Sequence, residues 1–212
     1  MFIPRHPVVE NQFCSYGAQT SVSTGIGGVI AYAGSVVYLD NSTLAVGTGS
    51  DEESVVYKMA AGVTAKPFGF LMQKVKTGYH QVHPAGFVMP GDLGSSDAIA
   101  QPSYSSAGAI NGTKAVPVGV AHLGIWDTVH YTTTGAEAGT ITGVMQPGND
   151  LYAAVDEAKV TNDNTESGVG TDKEDSVTTN IVARVMKGAT IAKCQANTDN
   201  TTLYPIRIKL LI

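Results

Sequence analysis

The sequence predicts an all-β protein, and three observations lead to that class. The apolar residues are mainly β-branched, with 24 Val and 12 Ile against 9 Leu, and 22 Thr and 24 Gly accompany them. This composition favours strands and turns over helices. Charged residues make up only 15% of the chain, fewer than long exposed helices carry. Apolar residues also alternate with small or polar ones over short segments, which is the period of a strand.

The alternation is clearest in the centre of the chain. Val116, Val118 and Val120 share one face of an extended segment, and Gly124 ends the run. A second strand follows over 125–131, and the polar run 132–139 separates it from a third over 140–145. Short strands joined by Gly- and Thr-rich turns indicate an antiparallel β-barrel or sandwich with long Gly-, Ser- and Thr-rich loops.

The other elements follow from the same reasoning. Residues 55–61 fit either a strand or a short helical turn, and 92–111 predict a surface loop with one helical turn over 95–99. Residues 161–176 form the most polar segment. Further strands are predicted over 29–40 (one strand with a glycine bulge or a pair), 43–46, 66–76, 79–83, 151–155, 181–187 and 203–212.

Three segments are expected along the chain. Residues 1–28 begin with an extended arm, because Pro4 and Pro7 disfavour helix, and this arm can pack on its own domain or reach a neighbouring subunit. Residues 29–146 form a β-rich module, and 147–212 form either a second module or strands that complete the same domain.

An internal similarity supports two related modules. A shift of 114 residues places Gly34 on Gly148 and Tyr38 on Tyr152. The same shift places Val46 on Val160, Val63-Thr64 on Val177-Thr178, and Met72 on Met186. The identities are sparse, so chance also explains them.

Charge and composition exclude several classes. The net charge is −5 with no basic run, so nucleic-acid binding is not expected. The first 13 residues have no apolar signal region, and no stretch reaches the length of a membrane span, so synthesis in the cytoplasm and no membrane partner are expected. Cys14 and Cys194 fit free thiols or a disulfide formed later.

The polar residues predict no catalytic, cofactor or metal site. His80 and His83 fall on opposite faces of a strand, so they cannot share a metal. The acidic loop 163–175 lacks the Gly and Glu that a helix–loop–helix calcium site needs. A His–Asp site between His122 and His130 is the weakest hypothesis, and the protein is not expected to be an enzyme.

Aromatic residues leave two interpretations open. Trp126 and Tyr131, with Tyr79, Tyr104 and His130, fit a carbohydrate-binding face. Trp126 fits a subunit interface equally well, because aromatic anchors are enriched there.

Three stretches carry a resemblance to a known family. GSVVYLDNSTLAV, KPFGFLMQKVKTG and VPVGVAHLGIWDTVHY lie within residues 30–155 and resemble the strand–hairpin–strand layout of tailed-phage head decoration proteins, also called capsid cement proteins. The resemblance implies a β-rich homotrimer of the virion that binds the major capsid protein and cements neighbouring subunits. The chain departs from the family in its greater length and its acidic loop.

The interaction residues expected under this resemblance come from the arm and the central strand. They are Phe2, Ile3, Pro4, Arg5, Trp126 and Tyr131. The alternative function is a glycan- or receptor-binding β module of a viral fibre or cell-surface structure, which requires Trp126 and Tyr131 to lie exposed on one concave face.

Overall fold

The computed structural model describes residues 2–5, 10–19, 27–40, 54–60, 63, 65–78, 97–133, 143–154, 158–163, 181–198 and 204–212. The regular secondary structure of these residues is nearly all β-strand, with one short helix, so the predicted all-β class is confirmed. The strands predicted over 43–46 and 79–83 lie outside the described residues, and so does the acidic loop 163–175 except for Asp163.

In chain order the strands are β1 (Phe2–Pro4), β2 (Glu10–Tyr16), β3 (Val29–Ala31), β4 (Val36–Leu39), β5 (Val55–Lys58), β6 (Pro67–Leu71), β7 (Val75–Thr77), β8 (Ala98–Ala100), β9 (Pro102–Tyr104), β10 (Ile110–Thr113), β11 (Val116–Leu123), β12 (Ile125–Thr128), β13 (Tyr131–Thr132), β14 (Asp150–Ala153), β15 (Val160–Thr161), β16 (Ile181–Lys187) and β17 (Ile206–Leu210). The helix α1 is Ile191–Thr198.

Five strands close into a barrel in the order β11-β2-β5-β4-β6. Only the β2–β5 pair is parallel, and the other pairs are antiparallel. Alternate residues of each strand point inwards, as the period of two requires. The interior is filled by Cys14, Tyr16, Val37, Val56, Leu71, Val118 and Val120, all buried.

Seven strands form a second sheet, called here the large sheet, in the order β1-β12-β17-β16-β14-β15-β13. It takes strands from all three segments of the chain. Two smaller sheets complete the fold, β3-β7-β8 and the hairpin β9-β10. The domain boundaries at residues 28 and 146 stay predictions.

The described parts of residues 1–28 are extended and pack on the rest of the same chain, because β1 pairs with β12 and β2 pairs with β11. Two predictions of local structure need correction. The surface loop predicted over 92–111 contains β8, β9 and the start of β10, and no helical turn forms at 98–99. The single strand predicted over 66–76 is two strands in different sheets, β6 and β7.

One apolar core joins the barrel to the large sheet. Alternate residues of the barrel strands, such as Val36, Phe70 and Ala121, point away from the barrel interior and pack with the large sheet. The ring of Phe2 stacks on the ring of Phe70, with centroids 5.8 Å apart, and on the ring of Trp126, with centroids 4.4 Å apart. All three side chains are fully buried, so β1, at the edge of the large sheet, places its Phe2 ring in the core between the two sheets.

The two sheets share a pairing pattern. In the barrel, β4 pairs with β6 as Val36↔Phe70 and Val37↔Gly69, and a bulge precedes Tyr38. In the large sheet, 114 residues later, β14 pairs with β16 as Asp150↔Arg184 and Leu151↔Ala183, and a bulge precedes Tyr152. This offset is the one at which the sequence similarity occurs.

The turns before β4 and β14 match in the same way. Gly34 has φ +94° and its amide donates to the carbonyl of Leu71, whereas Gly148 has φ +91° and donates to Val185. Both glycines adopt a left-handed backbone that costs other residues free energy. Only Gly34 is crowded, because a Cβ there would lie 2.9 Å from Thr128 Oγ1, whereas none of the described atoms lies within 4 Å of a Cβ at Gly148.

Replacing Phe2 by Ala should lower the free energy of unfolding by about 3–5 kcal/mol, because it removes a fully buried ring between two sheets. Urea denaturation followed by tryptophan fluorescence measures this change. The matched control is Phe13→Ala, because the Phe13 ring is 54% exposed and its loss should stay within about 0.5 kcal/mol. Equal effects of the two variants would contradict the position of Phe2.

The two glycines provide a second test. Gly148→Ala should lower the free energy of unfolding by about 1–2 kcal/mol, because alanine is unfavourable in a left-handed backbone conformation. Gly34→Ala should cost clearly more in the same urea experiment, because the added methyl group also meets Thr128. A smaller loss at Gly34 than at Gly148 would show that the Thr128 contact is absent.

Candidate functional site

Three of the six residues predicted to contact a partner are buried. Phe2 and Trp126 are fully buried, and Tyr131 is 2% exposed. The Trp126 indole donates to the carbonyl of Leu123, and the Tyr131 hydroxyl donates to the carbonyl of Tyr204 at 2.8 Å. Burial raises the pKa of Tyr131, so its hydroxyl stays protonated and keeps this hydrogen bond.

This burial corrects the prediction of a carbohydrate-binding face. That interpretation requires Trp126 and Tyr131 to be exposed side by side, whereas both fill the core of the large sheet. The reason is the strand period: Trp126 pairs with Ile208, and both point inwards. Neither ring can act as a surface anchor in this chain.

The remaining predicted residues belong to β1 or follow it. Ile3 and Pro4 are half-buried and pair with Asp127 and Trp126 of β12. Arg5, with a 45% exposed side chain, donates from Nε to Asp127 Oδ2 at 2.7 Å. Of the six predicted residues, only Arg5 presents a charged group at the surface.

Asp127 holds two arginines at the outer face of the large sheet. Its carboxylate is 8% exposed and accepts from Arg5 on one oxygen and from Arg207 Nε on the other, at 2.8 Å. Arg207 Nη2 also donates to Oδ2 at 3.3 Å. Because Asp127 lies on β12, Arg207 on β17 and Arg5 just after β1, this cluster ties three adjacent strands together.

The arginines control the ionisation of Asp127. Burial raises the pKa of this carboxyl, but the hydrogen bonds from Arg207 and Arg5 outweigh burial, and the pKa lies below its ordinary value. A lowered folded-state pKa stabilises the fold above the ordinary carboxyl pKa of about 3.9. That stabilisation is lost as the pH falls through the lowered value.

The histidines do not form the His–Asp site considered from the sequence. His122 Nδ1 donates to the carbonyl of Phe68 at 2.9 Å, and His130 Nε2 is hydrogen-bonded to Ser35 Oγ at 3.1 Å. Asp127 is engaged by arginines instead. His130 and Ser35 are both buried, so their hydrogen bond belongs to the contact between the barrel and the large sheet.

Cys14 and Cys194 are both buried, and neither is part of a disulfide. Cys14 lies inside the barrel and Cys194 lies in the core of the large sheet, so they belong to separate clusters. Burial raises the pKa of Cys14 to about 11, which keeps its thiol protonated and unreactive at neutral pH.

A groove of about 690 Å³ lies beside the start of α1. It is lined by 144–147 and 188–193, and Ile191 is exposed there. Lys193 is the one charged residue of this lining, so the groove is mainly apolar.

Comparisons with known proteins give no family for this chain. No protein-family model, no curated protein and no solved structure matches it. The resemblance to head decoration proteins therefore stays a prediction. Within the described ranges, no group of three or more metal-ligating side chains occurs. None of the described helical structure has the length and apolar content of a membrane span.

The sequence reasoning missed Arg207 and Arg184 as surface residues of interest. The signal was present, because Arg207 and Lys209 alternate with Ile206, Ile208 and Leu210 and must face away from the core. The alternation does not show which residues lie beside each cation, because those neighbours come from strands that are distant in sequence. Arg184 donates to Asp150 and lies opposite Lys209.

Asp127→Asn should destabilise the protein by about 1–3 kcal/mol at pH 7, because the two arginines lose a charged acceptor. The variant should also be less sensitive to acid than the native chain, since it lacks the carboxylate whose protonation removes stability. Urea denaturation at pH 7 and at pH 3 measures both effects. Parallel losses of stability in the two proteins would contradict the role of Asp127.

Proposed function

We propose that the protein is a structural virion protein that binds the outer surface of a phage capsid and holds neighbouring major-capsid subunits together. The observation that supports this proposal most is the single core shared by the barrel and the large sheet, with Phe2 stacked on Phe70 and Trp126. A cement protein must resist displacement of the subunits that it joins. A close-packed core between two sheets resists such movement, whereas a flexible linker does not.

The proposal includes the finer organisation of the chain. The matched pairings of β4 with β6 and of β14 with β16 support two related β modules within one rigid unit. In this unit β1 is a strand of the large sheet, so contacts with the capsid come from outer faces and loops. The proposed location is the capsid surface after synthesis in the host cytoplasm, and the proposed assembly is a homotrimer.

The alternative of a glycan- or receptor-binding module lacks its main support. It depended on an exposed pair of aromatic rings at Trp126 and Tyr131, and both are buried. None of the other contacts described above favours a sugar over a protein partner.

Co-sedimentation with expanded capsids that lack this protein tests the proposal directly. The purified protein should bind them saturably and raise the temperature at which they disassemble. Unexpanded capsids are the control, because their subunits lie in a different lattice. Failure to associate with expanded capsids would contradict the proposal.

The proposed trimer predicts a mass in solution near three times 22.0 kDa, measured by light scattering. The measurement should be repeated over a range of protein concentrations, because a weak trimer dissociates on dilution. A constant mass of 22.0 kDa would contradict the trimer.

A further inference from the structure

The outer face of the large sheet carries an excess of positive charge. Among the described residues this face holds five cations, called here the basic face: Arg5, Arg184, Lys187, Arg207 and Lys209. Two described carboxylates lie among them, Asp127 and Asp150. Five cations and two carboxylates leave three positive charges in excess.

Two pairs of like charges lie directly opposite each other on this face. Arg184 of β16 is opposite Lys209 of β17, and Lys187 is opposite Arg207. Like charges in cross-strand pairs destabilise a sheet. Among the described residues, no ion pair involves Lys187 or Lys209. Repulsion between like charges of this kind is typical of a surface used for binding, where an anionic partner offsets the repulsion.

The equivalent face of the barrel is already a packing surface. There the residues aligned across three strands are Val36, Phe70 and Ala121, and they are buried against the large sheet. In the large sheet the aligned residues are Asp150, Arg184 and Lys209, and they are accessible to solvent. The same face of the same strand arrangement therefore packs on apolar surface in one sheet and presents charge in the other.

We infer that the basic face is a docking surface for a protein partner rich in Asp and Glu carboxylates. The guanidinium groups of Arg5 and Arg207 are held in place by Asp127, and that of Arg184 by Asp150. Fixed guanidinium groups bind carboxylates with two parallel hydrogen bonds, and they lose little side-chain entropy when they do so. Identifying the partner as the capsid rests on the proposed function.

The charge of the chain favours an acidic protein over nucleic acid as the partner. The chain has 13 basic and 18 acidic residues, a net charge of −5. This net charge repels a long polyanion such as duplex DNA at long range, because the phosphates of the duplex extend beyond the cations of the face. A protein with a compact group of carboxylates can contact the basic face alone.

A fluorescein-labelled peptide of ten glutamates tests the inference by fluorescence polarisation at low ionic strength. The double variant Arg184→Glu/Lys209→Glu should bind this peptide at least about tenfold more weakly than the native chain. The matched control is Lys66→Glu/Lys114→Glu, which makes the same change in net charge at two exposed lysines outside the face. The control should lose less than about twofold.

A single variant separates binding from folding. Lys209→Glu places a carboxylate opposite Arg184, so it should raise the midpoint of thermal unfolding by about 1–3 °C while it weakens peptide binding. If Lys209→Glu loses binding and also has a lower unfolding midpoint, the claim that the pair of Arg184 and Lys209 destabilises the sheet is wrong.

Three results would overturn the inference. Equal losses in the two double variants would mean that only net charge matters. Tighter binding to a duplex DNA of ten base pairs than to the peptide, lost in the Arg184→Glu/Lys209→Glu variant, would assign the face to nucleic acid. A mass above 22.0 kDa that this variant returns to 22.0 kDa would assign it to a second copy.

Capsid binding by the same variants separates the inference from the proposed function. If the native chain binds the peptide through this face but does not bind capsids, the proposed function fails and the inference stands. If the Arg184→Glu/Lys209→Glu variant binds capsids as well as the native chain, the proposed function stands and the inference fails.

Discussion

The contact of the Phe2 ring with the rings of Phe70 and Trp126 is the constraint on which the rest of the structure depends. A barrel strand has two faces, and in this chain the second face of β4, β6 and β11 is apolar and must be covered. The large sheet covers it, and β1 supplies the ring between them. Once β1 is paired with β12, Arg5 reaches Asp127 and links these two strands on the outer side of the large sheet. Apolar packing in the core and the ion pair on the outer face thus hold β1 in position from both sides.

The two sheets show how one strand arrangement acquires different surfaces. The pairings of β4 with β6 and of β14 with β16 agree in register and in the position of the bulge. Side chains at matched positions differ, with Phe70 in one sheet and Arg184 in the other. Backbone hydrogen bonds and the inward residues therefore define the scaffold, while the outward residues decide what each face contacts.

The sequence was sufficient for the class of fold and for much of the strand content, because alternation and β-branched residues act locally. It was insufficient for residues whose role depends on distant partners. The prolines correctly indicated an extended segment at residues 2–4, but its pairing with β12 needed the whole fold. Trp126 fitted a carbohydrate-binding face and a subunit interface equally well, whereas its pairing with Ile208 places it in the core. Helix α1 was missed, because its eight residues lack a clear apolar stripe.

The position of β1 has a consequence for the folding of this chain. Arg5 and Asp127 are 122 residues apart in sequence, and β12 is itself paired with β17 near residue 206. Contacts over such separations form slowly, because the entropy of closing the intervening chain is lost before the contact is gained. During synthesis β1 must wait while the strands that receive it are still being made. Until then its apolar ring and unpaired backbone are exposed, and this interval is when the chain is most open to aggregation or to a chaperone.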